Sequence, residues 1–282
     1  MRVTLGSPST TIYDSSTRQI PFRQAIRDLY LYRGLTSLLV RRELTVRYKR
    51  SLLGVSWTLL NPVLMSLVMW LVFKAIFHPT IPGNIPYIVY LLSGVVAVTY
   101  FQQGVSMTGA SMAASAGMLT KVYVPPVVFA WAAAVAGAVN FLLGVVPLVI
   151  LQAVVGPRLP WTFLLVPLPL LFLLGLITGL GLLIATLQIQ FNDILDLTNV
   201  FLTLIAWVTP TFYPISIVGA RYQKLFYLNP LYSFVVVFRY LEYGSAPPNA
   251  ICVAIVIGSG VVTLAIGLMA FVRRWPKLAA QL

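Results

Sequence analysis

The chain has 282 residues, of which 59% are apolar and only 9% charged, and its formal net charge is +13. Soluble domains carry about a quarter charged residues, so this composition excludes an ordinary globular protein and points to a membrane. A single cysteine, Cys252, excludes an internal disulfide, and a single histidine, His78, excludes a histidine metal cluster or a histidine-based triad.

Ten of the 19 basic residues precede residue 51, directly before the first apolar run. That placement fits a membrane surface rather than nucleic acid. The first 50 residues contain no apolar core of the signal-peptide kind, so the N-terminus is expected to stay uncleaved in the cytoplasm. Within residues 20–50 an interfacial helix is expected. Phe22, Ile26 and Leu29 recur at i, i+4 and i+7, with Arg23, Arg27 and Asp28 between them. Further along, Leu35, Leu38, Leu39 and Val46 share an arc on which Arg42 and Lys49 intrude, as long basic side chains can by snorkelling. Six charges, five of them positive, lie between Arg41 and Arg50, and none follows until Lys74.

Cutting the charge-free runs at their Pro, Gly and polar breaks predicts six spans, each near the ~20 residues a crossing needs. They are about 52–77, 86–108, 124–154, 161–187, 197–213 and 249–272. They divide the chain into a cytoplasmic N-terminal segment, 1–50, a transmembrane domain, 51–272, and a cytoplasmic tail, 273–282. With both termini inside, 14 basic residues fall on the cytoplasmic side and five on the outer side, in accord with the positive-inside rule. Segment 221–243 does not fit a span. Its charge-free core runs only from Leu225 to Phe238, and Asn229-Pro230 breaks it in the middle. Two short re-entrant helices on the outer side, covering a wet vestibule, are expected there. The expected fold is therefore all-α and integral to the membrane.

Several absences narrow the chemistry. No G-x-x-x-x-G-K-[ST] loop is present, so this chain is not expected to hydrolyse nucleotide. The Gly-rich "GLITGLGLLIA" at 175–185 lacks a lysine and suits close helix–helix approach. None of the six acids falls inside a predicted span, whereas ion-coupled carriers keep ionisable groups at midplane. The energy for any transport is thus expected from another chain. Asp193 and Asp196 are the only closely spaced acids. They suit either Mg²⁺ ligation in a lipid-phosphate enzyme or a polar loop whose negative charge favours the next helix N-terminus. Ser66, Trp70, Phe73 and Phe77 share a face of the first span, and Phe201, Ile205, Val208 and Phe212 one of the fifth. These faces are either lipid-facing bulk or flat surfaces along which sugar rings slide.

The stretch "RRELTVRYKRSLLGVSWTLLNPVLMSLVMWLVFKAIF" at 41–77 resembles the permease subunits of ABC-2 type polysaccharide, O-antigen and teichoic-acid exporters. Arg42, Glu43, Leu44, Arg47, Tyr48, Ser51, Leu53, Gly54, Trp57, Asn61 and Pro62 all fall on that pattern. "KVYVPP" at 121–126, "FNDI" at 191–194 and "LNPLY" at 228–232 are similar to later family segments, with Pro126 and Asn192 where basic residues are common. The resemblance implies a homodimer joined by two copies of a separate ATP-binding subunit that carries the Mg-ATP. It implies no catalytic residue, cofactor or metal in this chain, and a polyprenyl-pyrophosphate-linked glycan as substrate. Arg41, Arg42, Arg47, Lys49 and Arg50 would face lipid headgroups and the pyrophosphate, since a guanidinium fork binds phosphate bidentately. Glu43, Lys121, Tyr123, Asn192 and Asp193 would meet the ATPase. Trp70, Phe73, Phe77, Phe201 and Phe212 would line the sugar path, and Tyr222, Phe226, Tyr227 and Tyr232 an outer gate. The glycan would be an O-antigen, a teichoic acid or a mycobacterial-type galactan. The residues leave open an integral-membrane enzyme of lipid-linked sugars, a permease for a small hydrophobic drug, and a membrane adaptor.

Overall fold

The computed structural model describes residues 22–49, 51–76, 81, 85–119, 124–191 and 193–279. Phe77, Arg50, Lys121, Tyr123 and Asn192, named above, lie outside them. Among the described residues every regular element is helical. In chain order they are α1 (Phe22–Leu31), α2 (Arg33–Tyr48), α3 (Ser56–Ile76), α4 (Tyr87–Ala114), α5 (Ala116–Leu119), α6 (Val127–Val155), α7 (Pro167–Gln188), α8 (Ile194–Val208), α9 (Ala220–Tyr227), α10 (Pro230–Tyr243) and α11 (Ala250–Ala279). Five of these, α3, α4, α6, α7 with the turn before it, and α11, are long and apolar enough to cross a membrane.

The helix boundaries follow local chemistry. Pro86 and Pro126 stand at the start of α4 and α6, and Pro167 and Pro230 in the first turn of α7 and α10, where a missing N–H costs nothing. Asn229 caps α10, its side-chain oxygen accepting the Leu231 N–H at 3.0 Å. Gly244 ends α10 in the left-handed conformation at φ 70°. The fifth predicted span, 197–213, is placed differently. Helix begins at Ile194 and stops at Val208, because Pro210 drives Thr209 out of the helical region to ψ 128°. At 15 residues α8 is about 22 Å long, short of the ~30 Å hydrocarbon core.

The bundle is built around α4, which is buried along most of its length, while α3 is exposed along most of its own. At one end α2 packs on α6 through Leu39, within an apolar cluster that includes Met112, Phe129, Leu182, Phe271 and Trp275. At the other end 209–213, α9 and α10 close over the starts of α4 and α11. Tyr87 and Tyr90 there donate to the carbonyls of Phe212 and Tyr213 at 2.6 and 2.9 Å. Between the ends lies the main core, with Phe141 in edge contact with Phe234 and Phe238. α7 and α11 meet backbone to backbone along Gly175, Gly179, Gly260 and Gly267.

Candidate functional site

The chain leaves α2 at Tyr48 and must reverse before entering α3 at Ser56. Ser51 and Gly54 make that reversal. Gly54 adopts φ 51°, a left-handed conformation that costs glycine little, and its N–H donates to Ser51 Oγ at 3.1 Å. The turn folds the end of α2 back over α4 and α6. Arg47 reaches Gln103 Oε1 at 3.4 Å and the Met107 sulfur. The Tyr48 hydroxyl donates to Asn140 Oδ1 at 2.8 Å, so the Thr58 hydroxyl must donate to Tyr48 in the bond those two also make.

These contacts enclose a junction pocket of about 240 Å³. Arg47, Tyr48, Ser51, Gly54, Trp57, Asn61 and Pro62 line it, so seven of the eleven positions in the opening pattern surround one cavity. Its wall is completed by Thr99, Tyr100, Gln103 and Asn140 from α4 and α6. Arg42 and Glu43, one turn earlier, line a separate cavity of about 380 Å³ against small residues of α4 and α6. Arg41 and Lys49 are exposed.

A second polar feature joins α4 and α8. Asn199 accepts from the Ser106 hydroxyl at 2.6 Å, and the Gln102 amide donates to the Leu202 carbonyl at 3.2 Å. With Gln103, Thr203 and Arg47 these side chains line a shallow groove of about 290 Å³. On α8 the exposed surface beside it is apolar, with Val200, Leu204 and Trp207 exposed, and α3 likewise exposes Leu64 and Leu71.

The aromatic residues divide. Phe212 is buried with Leu91 and Val95, and Trp70 and Phe73 pack against the same cluster. Phe201, 56% exposed, stands apart on α8. Phe226 and Tyr227 both pack on the buried Tyr232, with ring centroids 6.3 and 5.8 Å away, whereas Tyr222 is 58% exposed. Tyr227 and Tyr232 also border a cavity of about 270 Å³ beneath α10, together with Tyr90 and Arg239. Asp193 is exposed just before α8 and Asp196 lies in its first turn, where negative charge favours the helix N-terminus.

Sequence reading singled out neither Asn140 nor the pair Ser106–Asn199, nor the buried Arg239. Gln102, Gln103 and Asn140 are polar residues inside apolar runs, the one local signal they carry. Their partners lie on helices distant in sequence, 92 residues apart for Tyr48 and Asn140.

Residues 34–243 match the family model of the ABC-2 type transporter, and the chain belongs to that family of membrane transport proteins. It is 31% identical to the O-antigen export system permease protein RfbA of Myxococcus xanthus, over 80% of this chain and 86% of that protein. It is 25% identical to an O-antigen export system permease protein RfbA of Klebsiella pneumoniae, over 86% of this chain and 92% of that one. The role is thus that of a transport subunit integral to the membrane rather than an enzyme.

Proposed function

We propose that this chain is the permease of an exporter that moves a lipid-linked cell-envelope polysaccharide across the bacterial cytoplasmic membrane. It works as a homodimer, driven by two copies of a separate ATP-hydrolysing subunit. The carrying observation is the stripe of amides and hydroxyls, Gln102, Gln103, Ser106, Asn199 and Thr203, which lines a groove with Arg47 beside the exposed apolar surface of α8. Amide side chains facing hydrocarbon are expensive, so such a stripe belongs against a wet path. Amides and hydroxyls both donate and accept, as sugar hydroxyls do, and a row of them holds a moving polymer weakly at many points. The names of the relatives agree with this cargo.

Six crossings are part of the reading. The chain from Asp193 to Tyr213 runs from the α2 end to the carbonyls bound by Tyr87 and Tyr90, which supports a crossing made of α8 plus 209–213. α9 and α10 are the re-entrant pair on the outer side. The exposed apolar faces of α3 and α8 meet the second copy or lipid. Arg41, Arg42, Arg47 and Lys49 serve lipid headgroups, and Glu43 and Asp193 face the ATPase. A Pro157→Cys variant should react with an impermeant thiol reagent from outside the cell and an Arg274→Cys variant only from inside. The native Cys252 is buried and leaves the background silent.

Depletion of the chain should make polymer, still on its lipid, accumulate inside while surface polymer falls; unchanged surface polymer would sink the reading, and the accumulated polymer would identify the glycan. A Gln102→Leu, Asn199→Leu variant should assemble with its ATPase at normal yield yet export about tenfold more slowly, equivalent to ~1.4 kcal/mol on the limiting barrier. Equal export by that variant would remove the stripe from the path. The purified chain alone should hydrolyse no ATP.

A further inference from the structure

The cavity of about 270 Å³ beneath α10 shares no lining residue with the junction pocket or with the α4–α8 groove. Ser216, Ala246 and Asn249 line its mouth, and all three are exposed. They belong to the loops that follow α8 and α10, so the cavity opens to water at this end of the bundle rather than to lipid. Its size lies just below the ~300 Å³ at which drug-sized pockets begin, which suits one ring and not a chain.

Arg239 lines this cavity and is itself 5% exposed. Three of the five N–H donors of its guanidinium are used, on Ser93 Oγ and on the Tyr90 and Thr211 carbonyls. The two on Nη1 meet no acceptor among the described residues, and Nη1 is not enclosed by protein. Glu242 does not serve as counter-ion, because both its carboxylate oxygens are enclosed without a hydrogen-bond partner. A buried cation without a partner is costly, and a carboxylate or phosphate oxygen on its free donors removes that cost. The rest of the wall suits a sugar. Tyr227 and Tyr232 offer flat ring faces to its C–H groups, and phenol hydroxyls that both donate and accept, as ring hydroxyls do.

We propose that the cavity beneath α10 is an outer-side site for one acidic sugar unit, a ring bearing a carboxylate or a phosphate, with the oxyanion on Arg239 Nη1 and the ring against Tyr227 and Tyr232. The site rests on the reading of the chain as a polysaccharide exporter, and it adds that the exported polymer carries acidic units.

The test is calorimetric titration of the full chain with its ATPase in nanodiscs, with methyl glucuronide and glucose 6-phosphate as probes. One of the two should bind at least about tenfold more tightly than methyl glucoside, acetate and inorganic phosphate. A lead by the glucuronide supports the site and marks a carboxylate, and a lead by the phosphate supports it and marks a phosphate. Equal binding of methyl glucoside would overturn the anionic ligand, equal binding of acetate or inorganic phosphate the sugar ring, and no binding by either probe the whole proposal. Ala246 is exposed at the mouth, so its variants keep the fold, which a melting curve checks. Ala246→Trp should block entry and abolish binding. Ala246→Glu should weaken it about tenfold by repulsion, while the neutral Ala246→Gln leaves it unchanged. Undiminished binding in folded Ala246→Trp or Ala246→Glu overturns the site. Surface polymer lost on depletion of the chain, with neither probe bound, would overturn the site and leave the transport reading standing. Binding as expected, with surface polymer unchanged on depletion, would overturn the transport reading and leave the site.

Discussion

Replacing Arg239 with leucine is expected to leave little folded protein. The guanidinium is buried beneath α10, and three groups of other elements depend on it. It donates to the Tyr90 carbonyl at 2.9 Å, to the Thr211 carbonyl at 3.1 Å and to Ser93 Oγ at 3.2 Å. It also stacks on the Tyr90 ring, 3.5 Å from the centroid. Tyr90 belongs to the start of α4 and Thr211 to the irregular stretch after α8, so one side chain ties three parts of this end together. Gly94 makes the room, since a Cβ there would lie 2.7 Å from the Arg239 guanidinium and 2.5 Å from the Thr211 methyl. Leucine would leave two backbone carbonyls without a donor, at about 1–3 kcal/mol each. Breaking a buried charged network typically costs roughly 3–5 kcal/mol, a large share of a protein's margin. Arg239→Lys should rescue poorly, because an ammonium on a flexible stem does not reproduce a planar fork reaching three acceptors. Ser93→Ala, which removes one of the three, should cost about 1 kcal/mol. Thermal melting of detergent-purified protein should rank wild type, Ser93→Ala, Arg239→Lys and Arg239→Leu in falling order. A wild-type melting profile for Arg239→Leu would show that the clamp carries no load.

Arg239 also shows where sequence reading stops. From the chain alone it is one more outer-side charge after a short apolar core. Its burial depends on acceptors 149 and 28 residues away, which no local pattern reveals. The long helices, by contrast, were legible because a bilayer demands long uninterrupted apolar runs, and α3, α4, α6, α7 and α11 occupy those runs. The break at Asn229-Pro230 was legible for an equally local reason, a cap followed by a residue without an N–H. The end of α8 carried its signal too, in Pro210, but an apolar run masked it. The opening pattern from Arg42 to Pro62 could be recognised as a pattern. That it wraps a pocket closed by Asn140 and Tyr100 could not, because its meaning lies in the fold of α4 and α6 against α2.

The glycine run at 175–185 was readable as a close-approach surface, though not its partner. The structure supplies that partner in α11. A Cβ at Gly175 would lie 3.0 Å from the Gly260 carbonyl oxygen. One at Gly179 would collide with the Thr263 carbonyl, one at Gly260 with the Phe172 carbonyl, and one at Gly267 with the Gly179 carbonyl. All four obstacles are backbone, which cannot turn aside as a side chain can. In a membrane, helices associate largely through such close van der Waals contact, because lipid is as apolar as leucine and offers no hydrophobic gain. Gly179→Val is therefore expected to force α7 and α11 apart, beyond the ~1–3 kcal/mol typical of overpacking, since the whole seam must separate. α11 also carries Phe271 and Trp275 into the cluster beneath α2, so a displaced α11 disturbs the junction pocket from below. Gly258→Val is the control: it lies on the same helix, but a Cβ there meets nothing within 4 Å. Fluorescence size-exclusion profiles should show Gly258→Val as a sharp wild-type peak and Gly179→Val as aggregated or lost. Gly267→Val should behave as Gly179→Val does, from the other side of the seam. Equal monodispersity of Gly179→Val and Gly258→Val would mean that α7 and α11 do not meet backbone to backbone.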